Sequence, residues 1–149
     1  PTALDHLGLR ETLRDAVSAW RARHPEISCD LKMEGEVEGL GEAVNITIYR
    51  IVQECLTNVV RHAAARQVEV LVSRGHDAAR GDAVRVTVRD DGKGMAPGGV
   101  RDSARFGLMG MRERVQALSG DFSIETRPGQ GVTVCAVIPV TAASGAVAA

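Results

Sequence analysis

The feature that most constrains this chain is a long helical pattern running from Glu42 to Ala65. Val44, Ile48, Ile51, Val52, Cys55, Leu56, Val59 and Val60 recur at helical spacing and define one inward stripe. Glu54, Asn58, Arg61 and His62 stand at i, i+4, i+7 and i+8, so a regular helix puts all four on one polar face. A helix divided in this way must lie with its apolar stripe against a sheet or other helices. The remaining segments have to supply that partner.

They do so in an orderly sequence. Leu9, Leu13, Ala16, Val17 and Trp20 predict a first helix that stops near His24-Pro25. Ile27 to Met33 alternates as a half-buried strand does, and Gly35 to Gly41 reads as an acidic, turn-rich loop. After the long helix, valine-rich runs at Val68 to Ser73 and Val84 to Asp90 predict two strands joined by a polar loop, Gly75 to Ala83. Gly92 to Arg105 shows no period and is expected to be a mobile loop. Gly107 to Ser119 returns to helical spacing and stops at Gly120. Phe122 to Thr126 and Val132 to Ile138 predict a closing hairpin across the turn at Arg127 to Gly131. Thr141 to Ala149 reads as a disordered tail. The order predicts an α+β fold, a mixed sheet covered on one face by helices.

Bulk properties exclude several functions. A net charge of −1 gives no electrostatic footprint for nucleic acid or an acidic membrane surface. Only Trp20, Tyr49, Phe106 and Phe122 are aromatic, too few for a base-stacking platform. Cys29, Cys55 and Cys135 are widely spaced, which argues for reduced core thiols and against a zinc site or disulfide framework. No apolar run approaches the roughly 20 residues that a bilayer span requires. A cytoplasmic location is expected, and a parent protein could still be anchored in the inner membrane upstream.

Three constellations carry chemistry. On the long helix, a carboxylate and an amide oxygen (Glu54, Asn58) are hard ligands of the kind Mg²⁺ accepts, and Arg61 one turn on suits a polyphosphate. The same face would also serve as a plain solvated surface. The second is Asp90-Asp91-Gly92-Lys93-Gly94-Met95 at a strand end. A fixed aspartate there can accept a hydrogen bond from an exocyclic amine such as adenine N6, with glycines letting the ring approach; a hairpin turn is the simpler alternative. No helix follows at once, and Pro97 with Gly98-Gly99 prolongs the loop, so this is not a dinucleotide fingerprint. In the third, Phe106-Gly107-Leu108-Met109-Gly110, two glycines open a helix, and free amides at a helix N-terminus bind anions.

In this order and spacing, the three resemble the N box and two glycine boxes of the GHKL ATPases. That superfamily joins sensor histidine kinases with type II topoisomerase, heat-shock chaperone and mismatch-repair ATPase domains. Leu4-Asp5-His6-Leu7-Gly8-Leu9 and Phe106 to Arg114 are similar more narrowly to the nitrate- and hexose-phosphate-sensor histidine kinases. The resemblance implies a two-layer α/β sandwich of the Bergerat type, with about five strands and three helices. It divides the chain into the end of a linker from a missing dimerisation domain (1–8), an ATP-binding catalytic domain (9–140) and a tail (141–149).

By the same resemblance, Asp90 would bind the adenine amine over Gly92 and Gly94, and Asn58 would hold Mg²⁺. Glu54 would orient or deprotonate an acceptor imidazole. Arg61 and His62 would steady phosphate, Gly107, Leu108 and Gly110 would border the triphosphate, and Met95 to Phe106 would form the lid. The implied cofactors are ATP and Mg²⁺. The implied partners are the chain's own dimerisation and phosphoacceptor domain and a response regulator, without nucleic acid or direct membrane contact. One departure concerns the closing strand, which in the family brings a threonine to the pocket after Gly-x-Gly. Here Gly129-Gln130-Gly131 is followed by Val132, and strand alternation turns Thr133 to the other face. Moreover, none of His6, His24, His62 and His76 sits in a dimerisation helix followed by an acid. An anti-sigma-factor serine kinase, which resembles the same fold, and a non-catalytic nucleotide-sensing module are the rival readings.

Overall fold

Helix α1 (Thr2–Arg23) leads into strand β1 (Ser28–Glu34), then α2 (Glu42–Asn58), whose last turns continue as a π-helix over Val59–Ala63. Strands β2 (Gln67–Asp77) and β3 (Gly81–Asp90) come next, then α3 (Ser103–Ala117), β4 (Asp121–Thr126) and β5 (Val132–Pro139). The computed structural model describes residues 2–94 and 103–140; the expected tail from Thr141 lies outside them. Among the described residues, no helix is long and apolar enough to cross a membrane.

The sheet runs β1-β2-β3-β5-β4, parallel between β1 and β2 and antiparallel elsewhere. Alternation sorts its side chains. Val68, Val70 and Val72 on β2, Val84, Val86 and Val88 on β3, and Val134, Ala136 and Ile138 on β5 face the helices and are buried. Leu9, Leu13, Val17 and Trp20 from α1, Val44, Ile48, Ile51 and Val52 from α2, and Leu108 and Val115 from α3 complete one core. Among the described residues this is the α+β two-layer sandwich that the sequence predicts: five strands, three α-helices, one covered face.

Four local expectations need correction. The long helix does not stay α-helical to Ala65: i→i+5 bonding from Val59 widens the turn and rotates the residues beyond it. Val60, expected inward, is therefore 45% exposed, while Val59 is buried. The expected loop Gly75 to Ala83 is mostly strand, with pairing from Gly75↔Ala83 to Asp77↔Gly81. Polar residues suit this projecting hairpin. Arg74 donates from Nε and Nη2 to both Asp82 oxygens, at 3.1 and 2.8 Å, and the Asp77 carboxylate accepts the Ala79 and Arg80 amides. Helix α3 begins at Ser103, four residues before Gly107, so Gly107 and Gly110 lie inside it and not at its N-terminus. Finally, helical backbone begins at Thr2, ahead of the stripe from Leu9 that predicts the first helix, and Leu4 joins the core.

The break between those residues and the body of α1 falls at Gly8, whose φ of 80° and ψ of 172° belong to a region open essentially only to glycine. A side chain there would also press to 2.5 Å from Glu38 Oε2, and Glu38 Oε1 accepts the Arg10 amide. Gly8→Ala should therefore destabilise the domain by about 1–3 kcal/mol, read as a lowered urea midpoint.

Candidate functional site

Strand β3 ends at Asp90, level with Val68 of β2 and on the helix-facing side of the sheet. Its side chain is buried, at 8% exposure. Oδ1 accepts the Gly92 amide at 2.9 Å, and the Val132 amide also bonds to the carboxylate. Burial pushes the Asp90 carboxyl above its usual range; the two amides oppose that shift, and the neighbouring Asp91 charge adds to it. A carboxylate brought into the interior at the rim of a sheet, with two backbone donors, is a preset acceptor.

Asp91 points elsewhere and does a different job. Its Oδ1 accepts the amides of Arg66 and Gln67 at 2.8 and 2.9 Å, tying the end of the π turn and the start of β2 to the end of β3. Those amides hold its carboxyl below the usual range. The Asp-Asp doublet is thus one buried acceptor beside one positioning group. Sequence reasoning assigns only the first.

Glycines let two segments close on Asp90. Gly131 has φ +78°, and a Cβ on it would run into the Asp90 carbonyl. Gly94 has φ +72°, and a Cβ there would strike the Arg127 carbonyl. The Gly129 amide donates to Lys93 O at 2.6 Å. The loop after β3 and the β4–β5 turn are therefore in backbone contact, which explains the Gly-x-Gly pair at 129 and 131. Gly92 is buried between them.

Helix α2 supplies the opposite wall. The Cys55 thiol is pushed well above its ordinary range, first by burial and then by the charges of Glu54 and Asp90, so both carboxylates lie near it. Glu54 is half-buried against α3, where a Cβ on Gly107 would run into its carboxylate. Asn58 is half-buried four residues beyond Glu54 and three beyond Cys55, on the same side of α2. Asp90 with Gly92 and Val132 on the sheet side, and Glu54 with Gly107 on the helix side, thus both lie near Cys55, and Asn58 follows Glu54 one turn on along α2. Cys55 reads from the sequence as core filling; its place between two carboxylates has no sequence signal.

Other expected site residues are placed differently. Arg61 is exposed on the π turn, not aligned with Glu54 and Asn58 as a regular helix would have it. Leu108 is 2% exposed and anchors α3 in the core. Gly110 faces open space, with nothing within 4 Å of an added Cβ. Val132 meets Asp90 through its amide, whereas Thr133, paired with Arg89 beside the buried Val88↔Val134 pair, lies on the face away from the helices. Its side chain is withdrawn from the site, as the alternation argument anticipates. Met95 and most of the expected lid lie outside the described residues, as do the side chains of His62 and Phe106.

A buried adenine-type acceptor at a strand end, a polar helix wall and glycine-built close approaches define a nucleotide-binding ATPase fold. The family described as "Histidine kinase-, DNA gyrase B-, and HSP90-like ATPase" matches residues 43–142, and this chain belongs to it. Among similar proteins is the signal transduction histidine-protein kinase/phosphatase DegS of Brevibacillus brevis, 37% identical over 139 residues, covering 93% of this chain and 34% of that protein. Another is UhpB of Salmonella typhimurium, described in the same words, 33% identical over 134 residues, covering 90% and 25% respectively. The chain thus spans about a third or less of these relatives. The histidine kinase domain of an Erythrobacter litoralis blue-light activated histidine kinase has the same fold, with a TM-score of 0.68 at 23% identity, covering 94% of this chain and 64% of that one.

Two measurements check the local geometry. Gly107→Ala should be near-neutral in urea unfolding, its helix-propensity gain of about 1 kcal/mol offset by displacement of the Glu54 carboxylate end, while Gly110→Ala should stabilise the domain by about 0.5–1 kcal/mol. For Asp90, a carboxyl raised on folding binds its proton more tightly in the native state, so its ionisation costs stability as pH rises. The stability of the parent relative to Asp90→Asn should accordingly improve as pH falls from neutral into the acid range.

Proposed function

We propose that this chain is the ATP-binding catalytic domain of a two-component sensor histidine kinase. It transfers the γ-phosphoryl group of ATP to a histidine on the dimerisation domain of its parent protein, for onward transfer to a response regulator. The observation that carries this reading is the Asp90 carboxylate, buried and held by the Gly92 and Val132 amides beside the Glu54–Asn58 wall of α2. An enclosed acceptor of this kind discriminates, because a purine lacking the matching amine leaves it unpaired.

The chemistry asks for positioning and charge neutralisation, not for a covalent nucleophile. Asp90 would take the adenine amine, with Gly92 and Gly94 leaving room for the ring. Among the described residues no cluster of three His, Cys, Asp or Glu could hold a metal by itself. That suits Mg²⁺, which keeps few protein ligands and fills the rest of its shell with water and phosphate oxygens. When bound, Mg²⁺ would neutralise charge on the phosphates. The Asn58 amide oxygen would be its protein ligand. Glu54, half-buried and steadied against Gly107, would face the incoming imidazole and orient or deprotonate it. The exposed Arg61, with His62 beyond it, would meet phosphate from the solvent side, and the Gly107–Gly110 stretch of α3 would border the triphosphate.

Calorimetric titration with a non-hydrolysable ATP analogue and Mg²⁺ tests the reading. Asp90→Asn should weaken binding by more than ~1 kcal/mol, and Asn58→Ala should remove most of the Mg²⁺ dependence. Val132→Thr should strengthen binding by restoring a hydroxyl beside Asp90. Incubated alone with radiolabelled ATP, the chain should remain unlabelled. Mixed with its parent's dimerisation domain, it should produce an acid-labile phosphohistidine there. An acid-stable label on a partner's serine would instead establish the anti-sigma-factor type of kinase, and no nucleotide binding would leave a non-catalytic module.

A further inference from the structure

The opposite edge of the sheet carries a second surface that the nucleotide chemistry does not use. Among the described residues, strand β1 is the outermost strand and pairs only with β2. The Ser28 amide donates to Arg66 O at 2.8 Å, so Ser28, Asp30, Lys32 and Glu34 direct their backbone groups toward β2. Cys29, Leu31 and Met33 direct theirs outward. The structure bears this out at Cys29, whose carbonyl accepts Arg21 Nε at 2.6 Å. Beyond that capped carbonyl, Leu31 and Met33 each present one amide donor and one carbonyl acceptor on the free edge.

Beside this edge runs a cleft of about 530 Å³ between β1 and α1. Among the described residues its lining carries the charges of Arg10, Arg14 and Arg21 and no carboxylate, over a half-buried apolar floor of Leu31 and Met33. Arg10, Arg14 and Arg21 lie at i, i+4 and i+11 of α1, a single stripe parallel to the groove. Part of this charge is already engaged, since Arg14 meets Glu11 at 2.8 Å and Arg10 Nη2 lies 3.4 Å from Gly35 O. The cationic excess in the groove remains.

We propose that this groove is a docking site for an acidic segment of a partner protein, which adds to the free edge of β1 as an extra strand. Free donors and free acceptors alternate along the edge, and an extended peptide matches both. A single small anion can satisfy the arginines and one amide but is too short to meet the donors and acceptors of both Leu31 and Met33 along the edge. A second copy of this chain brings the same cations to the same groove and is repelled. Asp30 and Glu34 flank Lys32 on the outer face of β1, so the carboxylates of the guest belong on its helix-facing side, at every second residue.

The test uses the whole chain with a capped peptide of alternating threonine and glutamate, followed by amide NMR and hydrogen exchange. The peptide should bind and slow exchange at the Leu31 and Met33 amides. Its fully N-methylated counterpart, equal in charge but without backbone donors, should not bind. Arg14→Glu should weaken the peptide at least about fivefold while leaving binding of the ATP analogue unchanged. The proposal is overturned by failure of the peptide to bind, or by equal binding of the N-methylated peptide. It is overturned equally if tripolyphosphate displaces the peptide while giving the same protection, which marks a simple anion site, or if protection of Leu31 and Met33 rises with protein concentration alone, which marks self-association.

Discussion

The structure depends on holding one charged group, the Asp90 carboxylate, where water cannot reach it freely. A buried carboxylate without partners is costly, and in such a position the group tends to take up a proton. Two backbone amides offset part of that cost here, one from the loop after β3 and one from the first residue of β5. Both donors exist only because the segments carrying them come within contact of the strand end. The glycines at 94 and 131 permit that approach, and the Asp91 staple to Arg66 and Gln67 fixes the strand end against the exit from α2.

The same economy of space governs the helices. Helix α2 must bring Glu54 and Asn58 to the site while keeping Ile48, Ile51 and Val52 in the core. It manages both along a regular α-helix up to Asn58, and then widens into a π turn before the chain re-enters the sheet at β2. Helix α3 crosses over Glu54 at Gly107, where an added Cβ would displace the Glu54 carboxylate. The site is therefore assembled at the meeting of four segments, none of which holds it alone, whereas the cationic groove at β1 belongs to the opposite edge of the sheet.

Much of this was legible beforehand for a physical reason. Period-2 and period-3.6 patterns report which side of an element is buried, and valine-rich β2, β3 and β5 and the stripe of α1 are dominated by that one requirement. Asp90 was legible because a carboxylate at the end of an apolar strand, followed by glycines, is chemically conspicuous. The start of α3 was missed because Ser103 to Phe106 carries no apolar stripe, and glycine inside a helix reads as a boundary when the cause is a tertiary contact with Glu54. The hairpin over Gly75 to Ala83 was missed because its projecting end leaves the core, so the apolar alternation fades although backbone pairing continues. Val60 went wrong because a change from α to π bonding leaves no mark on composition.

The sequence by itself determined most of the elements with their buried faces, and the family, since these follow from local periodicity and from motifs at a recognisable spacing. Only the tertiary structure decided what individual groups experience. The placing of Cys55 between two carboxylates, the division of labour between Asp90 and Asp91, the withdrawal of Thr133 and the unpaired edge of β1 beside three arginines all arise between segments distant along the chain. Desolvation, close approach and free hydrogen-bonding groups are properties of neighbours in space, and a linear order of residues specifies them only through the fold.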